Sequence, residues 1–137
     1  PFIIDKENRV LLGKRISNVQ YGNSWHMPGG KVFINERISH SLKRMTKLKT
    51  GAEIELYFNS FNENVIGVYD DPKRDPREHV IGITFLCKFQ TGDIRPGGNC
   101  SEVRFISEEA LSKLELAFGH DYMLADSFKF LKNKGII

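Results

Sequence analysis

The sequence predicts an α/β (α+β) fold, a sandwich with helices on the faces of a mixed β-sheet. Three observations predict it. Short β-type runs come first and flank one amphipathic helix, Val80–Phe89 is apolar enough for a central strand, and two helical segments close the chain. The 137 residues, 40% of them hydrophobic and 27% charged, describe one soluble globular domain over residues 1–137, large enough for a sizeable core.

Each element follows in order. Phe2 to Ile4 and Val10 to Leu12 are β-type runs joined by the polar turn Asp5-Lys6-Glu7-Asn8, which makes a hairpin. Because Phe2-Ile3-Ile4 already reads as mid-strand sequence, a further N-terminal strand is expected to be missing. Gly13-Lys14-Arg15 ends the second run with two cations, either a solvated strand end or an anion contact. Ser17 to Ser24 is a loop leading to Trp25, whose large area suits a core position. Pro28-Gly29-Gly30 then forces a sharp turn that lets another group approach closely.

Ile38, Leu42, Met45 and Leu48 recur at spacings of four, three and three, the apolar face of a helix that Gly51 stops. Asn35 is placed to cap it, with Glu36 in its first turn. Arg37, Lys43, Arg44, Lys47 and Lys49 make its outer side positive. Ile54 to Phe61 approaches or forms a strand, and Val65 to Tyr69 is a clearer one. Asp71 to His79, with two prolines, is a stiff charged loop of the kind that carries function. Val80 to Phe89 follows, with Gly82 marking a close approach or a bulge. After turns at Thr91-Gly92-Asp93 and Pro96-Gly97-Gly98-Asn99, Val103 to Ile106 is a short strand. Ser107-Glu108-Glu109 starts a short helix to about Leu114, and Asp121 to Asn133 forms the last one.

Composition limits the partners. The net charge of +3, from 20 basic and 17 acidic residues, does not argue for nucleic acid and suits small anions better. No stretch approaches the ~20 apolar residues of a membrane helix. Cys87 and Cys100 lack metal-ligand spacing, which points to reduced thiols in a cytoplasmic setting.

The spacing around the helix carries a resemblance. Gly30, five residues, Glu36, seven residues, Arg44, and Gly51 seven positions on form a frame that resembles the box of the Nudix superfamily. Trp25 and Pro28-Gly29-Gly30 are similar to its usual lead-in. The loop Asp71 to His79 with its following strand resembles ADP-ribose pyrophosphatases, whereas Gly13-Lys14-Arg15 and Asn35-Glu36-Arg37-Ile38 resemble GDP-mannose mannosyl hydrolases. Glu102-Val103-Arg104-Phe105 and Leu116-Ala117-Phe118-Gly119-His120 look like the closing elements of such domains.

The resemblance implies a Nudix-type α/β/α sandwich and a hydrolase acting on a nucleoside diphosphate linked to another moiety, ADP-ribose or a nucleotide sugar such as GDP-mannose. It implies Mg2+ or Mn2+ as cofactor, a nucleotide or nucleotide sugar as partner, and a homodimer as a common assembly. By position, Gly30, Glu36, Arg44 and Gly51 supply the frame, with Glu36 and Arg44 as its bracing ion pair. Gly30 and Asn99 stand for the metal contacts, Glu102 and His120 for the catalytic pair, and Arg15, Lys49, Arg77 and His79 for substrate contacts. A full box carries glutamates where this chain has Met45, Leu48 and Lys49. The alternative is therefore a catalytically impaired nucleotide-binding domain, in which Lys49 meets the diphosphate as a point charge. For the arginines the competing role is a solvated surface, and for the histidines a structural hydrogen bond.

Overall fold

The computed structural model describes residues 1–137. Its elements are β1 (Phe2–Ile4), β2 (Val10–Arg15), β3 (Trp25–His26), α1 (Ile38–Thr50), β4 (Glu53–Leu56), β5 (Val65–Tyr69), β6 (Gly82–Thr91), β7 (Cys100–Ile106) and α2 (His120–Asn133). Two 3-10 turns, Phe61–Asn64 and Glu108–Lys113, complete it. The segment after Ser107 thus closes as 3-10 rather than α-helix.

The sheet has two hubs. β6 pairs in parallel with β1 and antiparallel with β4 and β5, while β2 pairs antiparallel with β1, β3 and β7. One parallel pair among antiparallel ones makes the sheet mixed. Alternation along the strands then divides the apolar residues between two faces. Phe2, Ile4, Val10, Leu12 and Leu86 face α2, packing on Met123, Leu124, Phe128 and Leu131. Ile3, Leu11, Phe85 and Cys87 share the other layer with Ala52, Ile54 and the partly buried Ile38 and Leu42 of α1. Helix, sheet and helix form the three layers of the sandwich.

A bulge sorts the polar residues of β7. Lys14 opposes Glu102 and Arg15 opposes Cys100, so Ser101 is the extra residue. Cys100 consequently lies on the face of Gly13 and Arg15, its Sγ 2.8 Å from where a Cβ at Gly13 would be. Glu102 shares the opposite face with Lys14 and with Arg104, whose guanidinium lies 5.3 Å from the Trp25 ring centre.

Several boundaries differ from expectation. α1 begins at Ile38 after Arg37, with no side-chain cap and no acid in its first turn. Asn35 lies in the left-handed region at φ 65°, and Glu36 turns back to its own loop instead of the helix dipole. Leu48 is 57% exposed, and Ser41, Thr46 and Thr50 are the buried residues of α1. Small side chains allow close packing of α1, and this rotates Lys49 inward. β6 starts at Gly82 rather than Val80, because the Arg74 guanidinium takes the Val80 carbonyl at 3.3 Å and passes 2.9 Å from the Cβ position of Gly82. The Ile54–Phe61 run stops at Leu56. Beyond it, the Asn64 side chain accepts from Phe58 N–H at 2.7 Å and donates to the Phe58 and Ser60 carbonyls.

Candidate functional site

The loop before α1 is braced by one ion pair. Arg44 Nε donates to Glu36 Oε2 at 2.7 Å and Nη2 to Oε1 at 2.9 Å, a bidentate fork. Glu36 Oε1 also accepts the Phe33 N–H at 3.0 Å, Arg44 reaches the Lys31 carbonyl at 3.0 Å, and its guanidinium lies 3.8 Å from the Phe33 ring centre. Hydrogen bonding from Arg44 holds the Glu36 carboxyl down at about 2.

The far end of α1 is fixed by the turn after β6. Gly51, at φ 75°, donates to the Lys47 carbonyl at 2.9 Å. Arg95 N–H then donates to Thr50 and Gly97 N–H to Lys49, at 2.9 and 3.0 Å. A Cβ at Gly97 would sit 2.2 Å from the Leu48 carbonyl oxygen, so only glycine permits this contact. The clamp leaves Lys49 directed under the Pro28-Gly29-Gly30 turn, where its Nζ donates to the Gly29 carbonyl at 2.5 Å.

Three cations converge beside that turn. Arg15 is buried at 4% exposure, donates from Nε to the Gln20 carbonyl at 2.7 Å, and places its guanidinium 4.9 Å from the Phe118 ring centre. Arg77 approaches the same ring at 4.8 Å and forks onto the buried Asp75 at 3.0 and 2.8 Å. Burial lowers Lys49 below its ordinary range, the Cys100 sulfur opposes this, and Arg15 and Arg77 lower it further. Burial and then Arg77 likewise lower Arg15, while Cys100 and the Asp75 carboxylate oppose this. Neither Arg15 nor Lys49 has a carboxylate partner. Cations withdrawn from water with no directly paired carboxylate are costly, and such an arrangement attracts an anion.

The other expected site residues lie elsewhere or are already engaged. Glu102 is on the opposite sheet face from Arg15 and Cys100 and is paired with Arg104 at 2.5 Å. His120 Nδ1 accepts the Met27 N–H at 2.9 Å, and burial, with His26 beside it, holds the ring well below its ordinary pKa. Its lone pair positions the turn and is not free to take a proton. His79 is exposed, with Nε2 2.9 Å from the Asp70 carbonyl within its own loop. The Asn99 carbonyl accepts from Ile16 N–H at 2.9 Å, and its side chain is exposed.

A divalent cation does not fit these residues. No three His, Cys, Asp or Glu side chains converge anywhere, whereas such an ion takes several oxygen ligands. At the turn, the Lys49 ammonium occupies the Gly29 carbonyl, and Met45 Cε lies 2.5 Å from where a Cβ at Gly30 would be. The clefts beside α1 are lined by none of Arg15, Lys49 and Arg77; one of about 240 Å³ is lined by Leu42, Lys43, Ile54, Leu56 and Cys87.

Two participants were not singled out from sequence. Phe118, at φ 57° and followed by Gly119 at φ 71°, gathers both arginines onto one ring. Of the two, only Phe118 is strained, since Gly119 takes the left-handed region freely, and the arrangement is signalled only by Phe-Gly before a helix. His26 is 3% exposed, its Nδ1 3.0 Å from the Gly13 carbonyl, with Nε2 buried and unpartnered.

Comparison with known proteins agrees with this architecture. The NUDIX domain family model matches residues 2–127. The chain is 33% identical over 128 residues to an ADP-ribose pyrophosphatase of Methanocaldococcus jannaschii, covering 93% of this chain and 70% of that protein. A MutT/nudix family protein of Enterococcus faecalis superposes with a TM-score of 0.75 at 26% identity, over 96% of this chain but only 61% of the other. The NUDIX domain of Shewanella oneidensis NrtR, solved with ADP ribose, gives 0.74 at 19% identity over 95% and 84% of the two chains, a likeness of fold alone.

Proposed function

The chain belongs to the Nudix family, and from that premise we propose that residues 1–137 act as one domain hydrolysing a nucleoside diphosphate linked to another moiety, ADP-ribose before GDP-mannose. The observation that carries this reading is the convergence of Arg15, Lys49 and Arg77, with Asp75 the one carboxylate among them. Arg15 offers a planar fork for phosphate oxygens, and Lys49 a point charge. Arg77, held by Asp75 and the Phe118 ring, brings the charged loop to the same place. The resemblance to an ADP-ribose pyrophosphatase supports adenosine diphosphate ribose as the first substrate to test.

In the reaction, water adds to one phosphorus of the diphosphate and the bridging oxygen leaves with the other. ADP-ribose would yield AMP and ribose 5-phosphate. Incubation with ADP-ribose, GDP-mannose and nucleoside triphosphates, with Mg2+, Mn2+ or a chelator, followed by chromatography, is the test. AMP from ADP-ribose is the expected product, and release of mannose from GDP-mannose would reassign the substrate. A second reading, binding without cleavage, is favoured by Met45, Leu48 and Lys49 where the family's box carries glutamates. No product from any substrate, with ADP-ribose still bound, would select it.

A further inference from the structure

The disagreement between the family's metal and these residues carries an inference about the chemistry of the site. We propose that the Lys49 ammonium takes the place of a divalent cation on the bound diphosphate, so that the site receives a nucleoside diphosphate without metal. This rests on the nucleotide reading above and specifies how its diphosphate is neutralised.

Geometry supports it from three sides. Lys49 Nζ spends one of its three donors on the Gly29 carbonyl at 2.5 Å, and two remain for phosphate oxygens. Its position is held at both ends: the Gly97 N–H donates to the Lys49 carbonyl at 3.0 Å, and the Lys49 Nζ is held at the Gly29 carbonyl. Met45 packs against Gly30 where another ligand would need room.

Charge supports it as well. A diphosphate diester carries about two negative charges. Arg15 and Lys49 are cations without a carboxylate, while Arg77 is offset by Asp75. The charge brought by the ligand is thus already matched. A divalent cation added to the complex would face the Lys49 ammonium across a short distance and be repelled.

The alternative is that Lys49 only locks the Gly29 turn. Calorimetric titration with ADP-ribose, in EDTA and in Mg2+, separates the two. The wild-type protein should bind with dissociation constants within about twofold of one another in the two buffers. Lys49→Gln should weaken binding in EDTA by about tenfold to a hundredfold, the loss of a charge-assisted contact. Lys49→Glu should bind weakly in EDTA and recover with Mg2+. Binding by the wild type that requires Mg2+ would overturn this proposal and leave the nucleotide reading intact. Equal affinity of folded Lys49→Gln and wild type in EDTA would assign Lys49 to the turn alone. Absence of binding in either buffer would overturn the nucleotide reading and this proposal with it. The wild-type comparison decides even where a variant does not fold.

Discussion

At the scale of single residues, His26 shows how burial determines protonation. Its Nδ1–H donates to the Gly13 carbonyl at 3.0 Å, and burial first, then the fields of Lys49 and Arg15, lowers its pKa from 6.5 to about 3. Between these values the unfolded chain binds a proton that the folded chain does not. Its contribution to stability is therefore complete above pH 6.5 and declines as pH falls toward 3, by at most about 1.4 kcal/mol per pH unit. Urea midpoints measured at pH 7 and pH 4.5 should fall further for wild type than for His26→Asn, whose amide still donates to Gly13 but does not titrate. Equal slopes would mean that the imidazole titrates in the folded state. Little of this was legible in sequence. Arg15, Lys49 and Arg77 could be singled out by their places in the family resemblance, but the ring of Phe118 meets two arginines that lie 62 residues apart in the chain, which no local pattern reveals. Glu102 drew notice as a surviving carboxylate, and only the pairing of β7 reveals which face it occupies.

Among the elements, α1 shows what periodicity can and cannot give. The four-three-three spacing located the helix, and Gly51 its end, yet its buried side is centred on Ser41, Thr46 and Thr50. Apolar moment alone does not register that small polar side chains bring backbones closer than leucine can. Thr50 Oγ1 returns its hydrogen bond to the Thr46 carbonyl at 2.7 Å, so its burial leaves no donor unmet. The clamp on the helix end gives a test. Gly97→Ala would place a methyl 2.2 Å from the Leu48 carbonyl oxygen and should cost about 1–3 kcal/mol. Gly98→Ala meets nothing closer than 3.6 Å and is strained only by its φ of 55°, about 1–2 kcal/mol. Urea unfolding should show both losses of stability, and calorimetric titration should separate the two variants: Gly97→Ala shifts Lys49 and weakens ADP-ribose binding, whereas Gly98→Ala leaves affinity near wild type. Equal affinities would detach the clamp from the site.

For the whole molecule, both helical layers depend on one sheet, and adjacent residues of β2 serve different layers. Leu12 faces α2 and Leu11 faces α1, each fully buried. Leu12→Ala and Leu11→Ala should each cost about 2–5 kcal/mol, and each variant should still unfold in one transition followed by both Trp25 fluorescence and far-ultraviolet dichroism. Separate transitions would show that the layers fold independently. The sandwich and the order of its strands and helices were legible from turns and alternation, whereas the pairing of β1 with β6 across most of the chain was not, since local pattern does not encode partners. The extra residue in β7 extends this point to heredity. Cys100 and Glu102 are two apart, which along an uninterrupted strand means a shared side, yet Ser101 sends them to opposite layers. A lineage carrying this fold can therefore lose the Ser101 codon and still present Cys100 and Glu102 on the sides they now occupy, since the bulge absorbs the one added residue and keeps it from the chemistry of either layer.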